Sequence, residues 1–104
     1  MYEGNPVDLQ MAKTISADAV FDDATHHCKV FRYDMEEDYI CLNLVEDDLT
    51  AISLDAKYLC YISTKKELLY CTGVVKERFQ SENGNMIIFR IENGFYNVSE
   101  RKNF

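Results

Sequence analysis

The chain reads as an all-β protein, a small antiparallel sandwich or barrel of about six or seven short strands entered through a short helical or irregular N-terminal lead-in. Three observations predict this. Apolar runs rich in Val, Ile, Tyr and Phe recur from residue 26 onward, with turn signals roughly every 8 to 12 residues. Residues 68–92, LLYCTGVVKERFQSENGNMIIFRIE, form two apolar arms around a polar tip containing Asn83-Gly84, a strong hairpin signal because both residues tolerate positive φ. Hydrophobic residues make up 47% of the 104, with seven Tyr, six Phe and no Trp, a composition that suits pleated sheet better than helix.

Taken in order, residues 1–25 differ in texture from the rest. Asn5-Pro6 resembles a helix start, with Asn as cap and Pro at the first helical position. Val7, Leu9, Met11, Ile15, Ala19 and Val20 follow without sustained alternation, so this stretch is assigned as a lead-in segment and residues 26–104 as the β domain. The first strand then runs over 28–35, and Glu36-Glu37-Asp38 makes a polar turn. The next strand, 39–45, places Ile40, Leu42 and Leu44 on one face and Tyr39, Cys41 and Asn43 on the other, because successive side chains in a strand alternate. Glu46-Asp47-Asp48 is a second acidic turn, and these turn acids read as solvated loop charges. Residues 49–54 are expected as a short strand and 57–63 as another.

In the first arm of the hairpin, Leu69, Cys71, Gly73 and Val75 share a face, and Gly73 marks a bulge or a corner where the strand bends. In the second arm Ile88 is read as a core position. Gly94 is expected to break the chain before a last extended piece over 95–98.

One core fits this length, and no run approaches the roughly 18 apolar residues of a membrane span. No basic-then-apolar leader opens the chain, which favours the cytoplasm. A net charge of −7 argues against nucleic-acid polymers and anionic membranes as partners. The four cysteines, Cys28, Cys41, Cys60 and Cys71, form no CxxC pair, and in strand runs they read as reduced core residues. His26-His27-Cys28 invites a zinc reading, with Asp22 and Asp23 close by in sequence. A strand, however, sends His26 and His27 to opposite faces, and no second ligand group follows. They read as two surface histidines at a strand start, with no metal and no cofactor. Catalysis has no visible motif, for the four glycines are scattered and no nucleophile stands at a recognisable spacing from a base. The chain is read as a non-enzyme.

The segments AISLDAKYLCYIS, ELLYCTGVVKER, NMIIFRIENGFYNV and SERKNF, in this order, resemble the N-terminal split barrel of the PilZ-type flagellar-brake proteins over residues 28–104. The resemblance implies a split barrel and a place in cyclic di-GMP signalling. In that family an RxxxR linker and a D/NxSxxG motif bind the nucleotide. Here Arg101 and Lys102 occupy the linker position without a second arginine, and Ser53 stands without the glycine of the second motif. Two functions follow as expectations. The first is an interaction module whose exposed strand edge or aromatic face docks a protein partner or a second copy. The alternative is binding of cyclic di-GMP or another anion by Arg90, Arg101 and Lys102.

Overall fold

The computed structural model describes residues 2–98, which form strands β1 (Pro6–Thr14), β2 (Thr25–Asp34), β3 (Tyr39–Leu44), β4 (Ala56–Ser63), β5 (Leu68–Ser81) and β6 (Gly84–Asn97), with one 3-10 turn over Leu49–Ala51. Every neighbouring pair is antiparallel, and the sheet closes on itself in the order β1-β2-β3-β6-β5-β4. Closure gives every strand a partner on each side over part of its length, while the outer half of β5, beyond Val74, pairs with β6 alone.

The inward faces follow strand alternation. Val7, Leu9, Cys28, Val30, Ile40, Leu42, Tyr58, Cys60, Ile62, Leu69, Cys71, Val75, Ile87 and Phe89 fill the barrel, and Ile52 plugs one end from the β3–β4 connection. At the other end Tyr2, Tyr33 and Phe95 pack together, Tyr33 meeting Phe95 edge-on at 5.4 Å between centroids.

Four expectations are corrected. The helix start at Asn5-Pro6 is a strand start: Val7, Leu9 and Met11 alternate inward, and β1 is paired on both sides, to β2 and to β4. Pro6 is tolerated because a strand's first residue can spare its N–H. The barrel therefore begins inside the stretch read as a lead-in, of which residues 15–24 are irregular. The expected strand at 49–54 is a 3-10 turn, because the Asp48 carboxylate accepts both the N–H and the hydroxyl of Thr50 and offers the backbone a local alternative. Gly94 does not break the chain, and β6 runs through it to Asn97. Ile88 faces outward, opposite Cys41, while Ile87 and Phe89 point inward. The run Met86-Ile87-Ile88-Phe89 is apolar throughout, so periodicity alone could not choose the face.

Irregularities lie where strands must bend. At Val30/Arg32 the ladder shifts by one residue, so Phe31 bulges outward and Tyr33 returns to the inner face opposite Ile40. Gly73 sits at the β5–β6 register shift, and a side chain there would run into the carbonyl of Arg90.

Candidate functional site

Chemistry-bearing residues gather at three places. The first is the barrel end formed by residues 15–24 and 45–55. His26 shares the inward parity of Cys28 and Val30, and at 3% exposure it is a buried residue and not the surface histidine expected. Its Nδ1 lies 2.6 Å from Asp47 Oδ2 and its Nε2 2.6 Å from Asp22 Oδ2. Asp47, read as a solvated turn charge, is thus tied to the interior. The backbone N–H of Ala24 and then His26 hold the Asp22 carboxyl below its ordinary range. For His26, burial opposes the charged ring, but the hydrogen bonds to Asp47 and Asp22, with their negative charges, outweigh it and raise the pKa.

Beside this triad lies a cleft of about 350 Å³ lined by Met11, Val20, Asp22, Leu54, Asp55 and Arg78, among others. Arg78 reaches back from the hairpin to donate to the carbonyls of Leu49 and Ile52. The Tyr58 hydroxyl, at the end of the core, accepts the Ser53 N–H at 2.9 Å.

The two carboxylates of the triad grip opposite sides of one imidazole, an arrangement that leaves no common point for a cation. Among the described residues no group of three or more His, Cys, Asp or Glu side chains is placed to hold a metal. His27, on the outer face, pairs with Asp8 at 2.8 Å. The four cysteines are free and buried, and Cys60 and Cys71 stand directly opposite each other on β4 and β5.

The second place is an aromatic row on the outer wall. Tyr61 of β4, Tyr70 of β5 and Tyr96 of β6 are cross-strand neighbours, with ring centroids 6.0 and 5.2 Å apart. On β1 the row continues through Asp8, opposite Tyr61, to His27. Three tyrosines far apart in sequence meet only because sheet register aligns them, so residue spacing gave no signal of the row.

The third is a cationic group around Tyr39. Arg90 is its cross-strand partner, and Arg32 Nη2 donates to its hydroxyl at 2.9 Å. Both arginines are exposed. Of the anion-binding residues expected from the sequence, Arg90 is placed here, whereas Arg101 and Lys102 lie outside the described residues. Arg32, which the sequence reading missed, joins Arg90 because of the β2–β3–β6 strand order.

Fold and sites together define a small all-β, six-stranded antiparallel barrel with an aromatic outer wall. Comparison with protein-family models, with curated proteins and with solved structures finds no significant match.

Proposed function

We propose that the chain is a non-catalytic interaction module of the cytoplasm, a divergent relative of the PilZ-type N-terminal barrels, whose outer tyrosine wall docks a protein partner. The observation that carries this reading is the cross-strand row Tyr61–Tyr70–Tyr96 on the outer face of the barrel. Tyrosine supplies a large, stiff ring with a polar tip, and it is enriched where proteins meet. The charge of −7 disfavours a second copy as the occupant, since two such surfaces repel.

The test compares wild type with a folded Tyr70→Lys variant. Wild type is expected to remain monomeric by light scattering and to retain, in quantitative affinity capture, a partner that Tyr70→Lys loses. Equal capture by both proteins would remove the tyrosine wall from the reading, and a dimer abolished by Tyr70→Lys would replace the foreign partner with a second copy.

The anion-binding alternative is favoured by the pair Arg32 and Arg90 flanking Tyr39. Two guanidinium groups without a phosphate clamp around them support weak recognition. Calorimetric titration with cyclic di-GMP is expected to show no binding tighter than about 100 µM, or roughly −5.5 kcal/mol. A low-micromolar dissociation constant abolished by Arg90→Ala would make the chain a nucleotide-binding domain instead.

A further inference from the structure

His26 is the one buried polar or charged residue among the described residues, and it sits where two irregular connections meet. Each of its ring nitrogens is 2.6 Å from a carboxylate oxygen. A carboxylate can only accept, so two such bonds need two ring protons, and imidazole carries two only as the cation. We infer that His26 is a protonation latch: as imidazolium it pins residues 15–24, through Asp22, and residues 45–48, through Asp47, across the end of the barrel, and its deprotonation releases the 15–24 segment. This goes beyond the docking role, since it assigns a pH-dependent motion to the opposite feature of the molecule, its barrel end.

The surroundings of the ring are consistent with a single proton controlling the contact. From β1, Leu9 lies opposite His26 and brings no charge. The connections contribute Asp22 and Asp47. On β4 the Tyr58 hydroxyl feels the charge of Asp22, and on β2 the Cys28 thiol feels that of Asp47. Arg78, from β5, is committed to the carbonyls of Leu49 and Ile52, and its charge is felt at Asp48 and Tyr58. No other cation replaces the ring between the two acids among these groups. Once neutral, the ring can donate to one carboxylate, and its bare nitrogen then faces the other.

Among the described residues, few other hydrogen bonds tie the released segment to the barrel. Asp22 N–H donates to Met11 Sδ at 3.3 Å and Ile15 N–H to the Asp55 carbonyl at 2.8 Å. Val20 is 85% exposed, and Ile15 and Phe21 are exposed beside it. Loss of the Asp22 contact therefore opens the cleft over Met11 without breaking any strand pair.

The sign follows from linkage. A histidine whose pKa is raised on folding contributes stability that is fully present below its ordinary value of 6.5 and is lost as the pH rises through the folded value. Asp22, held below its ordinary 3.8, contributes above that value and loses its contribution as the pH falls through its folded pKa. The latch is closed between these limits and opens on the alkaline side.

Nitrogen-15 NMR of the full chain labelled at histidine, from pH 5 to 10, tests this directly. His26 is expected to carry both ring protons at pH 6 and to titrate with a midpoint above 6.5. Each unit of that excess corresponds to about a tenfold gain in the closed-to-open ratio. Amide-exchange protection within 15–24, corrected for intrinsic rates, is expected to fall about tenfold per unit of that excess in step with the midpoint. In Asp22→Asn the midpoint should drop, and the segment should exchange at pH 6 as wild type does on the alkaline side of its own midpoint. A single-tautomer neutral His26 at pH 6, or protection in 15–24 that ignores the His26 titration, would overturn the latch; both readings come from wild type and survive a misfolded variant.

Discussion

At the scale of single residues, environment sets chemistry more than identity does. His26 and His27 are neighbours in sequence, yet one is locked between two acids in the interior and the other meets Asp8 on the surface. Replacing His26 with Gln leaves one carboxylate unsatisfied and should cost roughly 2 kcal/mol at pH 6, read from urea unfolding. That difference should shrink as the pH rises past the folded pKa of wild-type His26, because wild type then loses the same contact. The cysteines show the same rule. Burial, reinforced by the charges of Asp8 and Asp47, pushes the Cys28 thiol up to about 12, and the hydrogen bond with Cys71, then burial, raises Cys60 well above its ordinary value. At pH 8 a thiol with that pKa is ionised in only about one molecule in ten thousand. An aromatic disulfide reagent should therefore leave Cys28 and Cys60 unlabelled in the native protein and react with all four cysteines in guanidinium.

Among elements, the β5–β6 hairpin shows how local chemistry and tertiary register divide the work. Its turn behaves as Asn-Gly predicts in place but not in detail: Gly84 takes φ +102 while Asn83 stays out of the left-handed region. Gly84→Ala should cost about 1 kcal/mol, the usual penalty of a left-handed alanine. Gly73 is a different case, since its penalty is an overlap with the Arg90 carbonyl and backbone must move to relieve it. Gly73→Ala should destabilise by more than about 2 kcal/mol. The facing of β6 is tested by a pair of substitutions. Ile87→Asp places an unpaired charge in the core and should abolish the cooperative thermal transition, since such a charge costs several kcal/mol of a total stability of roughly 5 to 15. Ile88→Asp, on the outer face, should keep a cooperative melt. Equal loss in both would contradict the register Ile87↔Leu42.

For the whole molecule, closure is the organising fact. β1 seals the sheet by pairing with β2 and β4, so a chain that begins at residue 15 would expose two long edges and, on β4, the inward Tyr58 and Cys60 that now lie opposite Met11 and Leu9. Its circular dichroism should show no cooperative unfolding, whereas a barrel complete from residue 26 onward would melt as the full chain does. The closed wall also directs the functional reading. Because most strand length is paired on both sides, the proposed docking role is assigned to side chains on the outside, where Tyr61, Tyr70 and Tyr96 form an ordered row.

Much of this architecture was legible in the chain itself. Alternation in 39–45 and 68–75 marked the inner faces, Asn83-Gly84 marked the hairpin, and Gly73 marked a bend, because each depends on local sterics and a period of two. Less of the candidate sites was legible. Asp22, His26 and Asp47 are joined by hydrogen bonds spanning two connections, Tyr61, Tyr70 and Tyr96 by register across three strands, and Arg32 and Arg90 by a strand order that is not the order of the chain. The same holds for β1, whose lead-in texture hides a strand until β2 and β4 lie on either side of it. Local sequence determined most of the later extended stretches and the hairpin turn; tertiary closure decided that β1 extends and which side chains meet, because those contacts depend on strand order and shear, which no window of neighbouring residues contains.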